Sequence, residues 1–124
     1  MNMVRIELNE VRKWSIKRFV ETWSNVEDLP AEDWGIKAGL NWVLRKLQME
    51  VFIWEPGEIV IDVPMSIIKE CKKEWREHAI NAHWNLGYSR AILSVFTVLG
   101  LDVRAEDKEE EEEPIEYITN YYNK

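Results

Sequence analysis

The sequence predicts an α+β domain in which about four helices pack on one face of a small, mainly antiparallel sheet. Three observations predict it. Helical periodicity recurs four times between residues 11 and 99, in two pairs. Stretches with strand period or strand composition flank those pairs, at 4–8, 49–63 and 101–104. Finally, the two helix pairs come into phase when the chain is shifted by 52 residues, so that strand, helix, helix, strand reads twice.

Val4-Arg5-Ile6-Glu7-Leu8 alternates apolar and charged residues, the pattern of a strand with one buried face. From Val11 the period changes to helical. Ile16, Phe19, Val20, Trp23 and Val26 form the stripe, with Lys17, Arg18 and Glu21 off it. Pro30 stops this helix, because the residue before a proline avoids the helical region. A second helix from about Ala31 carries Ile36, Leu40, Val43, Leu44 and Leu47. Gly35 and Gly39 on it allow a close backbone approach, at a cost of about 1 kcal/mol each in helix propensity.

Residues 49–54 and 59–63 are rich in β-branched and aromatic side chains and read as a β-hairpin, with Pro56-Gly57 at the centre of a type II turn. Pro64 closes the second arm. Ser66 is a candidate N-cap for a third helix with Ile68, Cys71, Trp75, His78 or Ala79, and Ala82 on its stripe. Residues 85–87 read as a break, followed by a fourth helix from about Tyr88 to Leu99. It is apolar almost all round and is expected to be the most buried. Gly100 suits its C-terminal stop. A strand at 101–104, a flexible acidic loop at 106–113 and a C-terminal strand near 115–122 complete a single domain over residues 1–124.

At the 52-residue shift, Val11 falls on Val63, Ile16 on Ile68, Lys17 on Lys69, Trp23 on Trp75 and Gly35 on Gly87. These identities are few, and any two amphipathic helix pairs can be slid into phase. The agreement between stripe phase and the apolar segment that follows each pair is the better argument for a duplication.

Charge is unevenly placed. The net charge of −7 comes from 23 acids and 16 bases. Residues 106–113 take seven of those acids and one base, which leaves 16 acids against 15 bases elsewhere. The body is therefore nearly neutral and lacks the positive excess expected of a duplex-DNA binder. One cysteine, Cys71, excludes an intramolecular disulfide and fits a reducing cytoplasm. The longest apolar run, 91–101, is shorter than a membrane span requires, and the start of the chain carries no apolar signal segment. A single glutamine among many Glu, Lys and Arg fits a thermophilic source, although eight asparagines point the other way.

No catalytic constellation emerges, so a non-enzyme is expected. Glu70, Cys71, Glu74, Glu77, His78 and His83 gather on the third helix, but without a metal-ligand spacing. Cys71 and His78 are two helical turns apart, about 10 Å, too far for direct proton transfer. The sequence implies no cofactor and no metal.

Two basic groups stand out. Arg12, Lys13, Lys17 and Arg18, joined by Arg5, crowd the start of the first helix, where cations oppose the helix dipole. Lys69, Lys72, Lys73 and Arg76 form a stripe on the third helix. Both are candidate anion or nucleic-acid contacts, although interleaved glutamates also make the second stripe an ordinary solvated face. Of the seven tryptophans, Trp14 and Trp54 are expected at the surface. With Tyr117, Tyr121 and Tyr122 they are candidate interface anchors.

The function expected from these features is a small interaction or regulatory module. It acts through strand edges and an aromatic–basic helical face, as a homodimer. The alternatives are a nucleic-acid-binding accessory protein and a sensor of a small apolar ligand held between helices and sheet.

Overall fold

A computed structural model describes residues 2–24 and 30–105. In chain order it contains strand β1 (Met3–Leu8), helices α1 (Glu10–Ser24) and α2 (Ala31–Lys46), a 3₁₀ turn (Phe52–Trp54), strand β2 (Ile59–Pro64), and helices α3 (Met65–His78) and α4 (His83–Val98). The α+β class holds: four helices pack with a two-stranded antiparallel sheet. In that sheet Val4 pairs with Val63, Ile6 with Ile61 and Leu8 with Ile59, all on the core-facing side. Arg5, Glu7, Val60 and Asp62 take the other face, where Arg5 donates to Asp62 across the strands at 3.2 Å. The alternation read in residues 4–8 is therefore real, and its partner lies more than fifty residues away.

α4 carries more buried positions than any other described helix, seven of them between Gly87 and Phe96, as its composition predicts. It crosses α2 at three glycines that permit close approach, Gly35, Gly39 and Gly87. A Cβ on Gly35 would overlap the backbone of Trp84, with the carbonyl carbon 2.8 Å away. On Gly87 it would overlap Glu32, with the carbonyl carbon at 2.9 Å.

Several local expectations are corrected. The hairpin does not form, because β2 pairs with β1 and residues 49–54 wind into a turn. The cause lies at the end of α2. Gln48 adopts a left-handed φ of 59°, and the N–H of Met49 returns to the carbonyl of Leu44 at 2.8 Å. This Schellman closure turns the chain back and drops the Met49 and Ile53 side chains into the core. α3 begins at Met65 after Pro64, so Ser66 lies inside its first turn rather than capping it. Residues 85–87 are helical, since α4 starts at His83; the glycine there marks a helix crossing, not a break. Residues 101–104 form no strand; Val103 is buried as the chain turns. The acidic segment 106–113 and the strand near 115–122 lie outside the described residues.

The repeat reading is half right. α4 starts and ends 52 residues after α2, and so do the structures that close them. Leu47 and Leu99 cap with the same geometry (φ/ψ −82°/−2° and −81°/0°). Gln48 and Gly100 follow in the left-handed region, and Leu101 returns to Phe96 at 2.8 Å as Met49 does to Leu44. The helix contact is reciprocal as well. Gly35 meets Trp84 and Gly87 meets Glu32, each residue 52 positions from its counterpart. Reciprocity of this kind is the mark of a two-fold relation.

For the first half of each unit the shift is 55. Inward-facing Ile6, Leu8, Lys13 and Ile16 correspond to Ile61, Val63, Ile68 and Cys71. The pairs Val11/Val63, Ile16/Ile68, Lys17/Lys69 and Trp23/Trp75 are thus not equivalent. α1 begins 21 residues before α2, whereas α3 begins 18 before α4, and that difference of three accounts for the two shifts.

Candidate interaction site

The surface formed by α1 and the 3₁₀ turn brings together the aromatic and basic residues that the sequence singles out. Val11, Trp14 and Arg18 follow one another at helical spacing along α1, and Trp54 arrives from the 3₁₀ turn. Trp14 and Trp54 are 58% and 53% exposed. The Arg18 guanidinium lies 5.2 Å from the Trp14 ring centroid, and the Lys17 ammonium 5.9 Å from that of Trp54. Cations at these distances are attracted to the ring faces, by roughly 0.5–1 kcal/mol at an exposed site.

The site rests on a buried lysine. Lys13, read from sequence as an anion contact, is only 1% exposed and turned inward. Its ammonium donates to the backbone carbonyls of Glu55 and Gly57. One turn earlier, the Glu10 carboxylate accepts the N–H of Gly57 at 3.0 Å. Gly57 takes a φ of 83°, the conformation that the predicted type II turn needs at that residue. A single turn of α1 therefore holds the loop after Trp54 at both its donor and its acceptor groups. The sequence offered a signal for this clamp: a lysine on the apolar stripe beside Ile16.

The other predicted cations do not join this surface. Arg12 folds back to donate to the Glu7 carbonyl at 2.8 Å and lies against Gly100. Arg5 pairs with Asp62 on the outer face of the sheet. On α3 the basic stripe is interrupted, because Lys72 is 8% exposed and donates to the Ala105 carbonyl at 3.0 Å. Lys73 and Arg76 remain exposed, Lys73 at 4.0 Å from Glu77, and Lys69 is half-buried. Tyr117, Tyr121 and Tyr122 lie outside the described residues.

A second cluster was not legible as a unit. Tyr88 stacks on His78 with centroids 4.2 Å apart, lies 5.1 Å from Trp84 and meets Trp42 at 6.3 Å. Glu74 hydrogen-bonds Tyr88 and stands 3.5 Å from His78 Nδ1. Burial first, and the Glu74 charge second, push the Tyr88 hydroxyl above its ordinary range. Burial likewise pushes the Cys71 thiol up to about 12, with Glu70 adding to the effect. A thiol so placed is protonated at neutral pH, the opposite of an activated nucleophile. Cys71 points into the core, while Glu74 and His78 engage each other and Tyr88. These three side chains share a helix face without converging on a common point among the described residues.

Among the described residues no helix is long and apolar enough to cross a membrane. No family model, no curated protein and no solved structure matches the chain.

Proposed function

We propose that this protein is a non-enzymatic interaction module that binds a protein partner through the Trp14–Trp54 face, with a second copy of the chain as that partner. One observation carries the reading. Two exposed indoles from different elements share a surface, each beneath a cation, and a buried lysine holds the loop that follows one of them. Rigid aromatic anchors with adjacent cations are the residues that dominate protein interfaces, because they bury much area at little entropic cost. The outer edges of β1 and β2, which pair with no further strand among the described residues, are a second contact surface for the same partner. The setting proposed is the cytoplasm, on the strength of a single buried thiol.

The test is sedimentation of the full chain at two concentrations differing at least tenfold, with and without Trp14→Ala and Trp54→Ala together. A concentration-dependent dimer that the double variant abolishes supports the proposal. A wild-type monomer at the higher concentration rejects it.

A second reading, nucleic-acid binding, draws on the same indoles as stacking platforms. Its basic surface is reduced, because Lys13 and Lys72 are buried and Arg12 is folded onto Glu7. A single-stranded oligonucleotide whose affinity falls steeply with salt and depends on Trp14 would favour this reading over the dimer.

A further inference from the structure

The approximate two-fold relation between the halves makes every surface feature comparable with its counterpart, and one pair differs sharply. Between α1, α2 and α4 lies an open groove of about 230 Å³ lined by Phe19, Trp23, Ile36, Leu40, Ala91 and Ser94, with Arg90 at its rim. The corresponding positions in the other half are Glu74, His78, Tyr88, Ile92, Gly39 and Trp42, with shifts of 55 for α1 and 52 for α2 and α4. Four of these are the members of the aromatic cluster described above. Where the cluster places the Trp42 indole against Tyr88, the groove has the small Ser94 beside Ile36. Among the described residues, one of two related positions is filled with an aromatic ring and the other is open.

We infer that this groove is a binding site for a small neutral aromatic molecule of about the size of indole, seated on Ile36 and beside Trp23, at the position equivalent to that of the Trp42 ring. Three features set the chemistry. The volume is below the roughly 300–1,000 Å³ of a drug-sized site and suits one mono- or bicyclic ring. The walls are apolar, because Phe19 stands where the cluster has Glu74; a ring hydroxyl would lack the acceptor that Tyr88 enjoys. The rim cation Arg90 is already paired with Glu32, so nothing there calls for an anionic group. The site is separate from the Trp14–Trp54 face and stands or falls independently of it.

The experiment titrates indole into the full-length protein, reading heat and the methyl resonances of Ile36, Leu40 and Ala91. The expected result is a saturable one-to-one isotherm with Kd on the order of a millimolar or tighter, and shifts centred on those methyls. Ser94→Trp supplies the missing ring from the chain itself and should weaken indole at least tenfold. Trp14→Ala with Trp54→Ala should leave binding unchanged, which separates the groove from stacking on exposed indoles. Indole-3-acetate should bind no better than indole. The inference is overturned if indole fails to saturate, if the shifts centre elsewhere, if folded S94W binds as the wild type does, or if indole-3-acetate is preferred. Should S94W not fold, the wild-type methyl shifts decide alone.

Discussion

Gly35 and Gly87 make the same contact in opposite directions: each brings its helix onto the backbone of the other, at residues 84 and 32. A side chain at either glycine would meet a carbonyl group held by its own helix, which cannot swing aside as a flexible side chain would. The α2–α4 crossing, and with it the centre of the core, depends on these two missing methyl groups and on a third at Gly39, where a Cβ would stand 2.6 Å from the Tyr88 carbonyl oxygen.

Replacing either glycine by alanine should therefore destabilise the fold. Alanine gains about 1 kcal/mol in helix propensity, and the overlap must first cancel that. We expect a net loss of about 1–3 kcal/mol for Gly35→Ala and a similar loss for Gly87→Ala, the usual range for forced overpacking. Urea midpoints of the two variants check this. A stabilised G35A protein would contradict the close crossing.

The closures of α2 and α4 are the same motif with different residues in the left-handed position, Gln48 and Gly100. Glycine carries no steric cost there, whereas glutamine does, by roughly 1–2 kcal/mol before the entropy of the unfolded chain is counted. Gln48→Gly should stabilise by about 0.5–1 kcal/mol, and Gly100→Gln should destabilise. Thermal denaturation of both variants gives the signs.

Lys13→Met keeps the length and removes the donor. The carbonyls of Glu55 and Gly57 then lose their shared charged donor, at a cost of about 1–3 kcal/mol. The loop after Trp54 should loosen while the α2–α4 core stays intact. Hydrogen exchange should rise at residues 54–58 and leave α4 protected. Uniform exchange across the chain would mean that Lys13 supports the whole core instead.

Cys71 and Tyr88 should make the protein sensitive to alkali. Both groups hold their protons more tightly folded than unfolded, because burial opposes the charged form. The stability this contributes is complete below the ordinary thiol value of 9.0 and is lost as pH rises toward about 12. Tyr88 acts in the same direction from 10.0 upward. Urea midpoints should be flat between pH 7 and 8.5 and fall above 9. Cys71→Ala should lessen the fall, and thiol labelling of the native protein should wait for unfolding.

Much of the fold was legible because its signals are local. The stripes of α1 and α2, the burial of α4, the Gly100 stop and the exposure of Trp14 and Trp54 follow from residue periodicity and composition. The hairpin was misread for the same reason. Residues 49–54 have strand composition, but which segment β2 joins is not decided locally: the closure of α2 on Leu44 turns 49–54 away, and β2 pairs with the distant β1. The candidate site was legible residue by residue but not as a surface, because Trp14 and Trp54 are 40 positions apart. They are brought to one side of the molecule by contacts between α1 and the segment 52–57, the Lys13 clamp and the Lys17–Trp54 contact among them.

By itself the sequence determined the α+β class, the four helices of the described residues and the 52-residue echo between α2 and α4, since each is carried by spacing along one element. Only the tertiary structure decided the facing of the charges and the equivalence of the halves. Helical spacing alone leaves the core-facing side of a mixed stripe open, so Lys13 and Lys72 read as surface cations until packing and their carbonyl partners turned them inward. Likewise, no pattern within one segment records that Trp42 and Ser94 are counterparts, or that among the described residues one fills and the other opens the same position. That follows from two helices crossing about a common axis, a relation between distant parts of the chain.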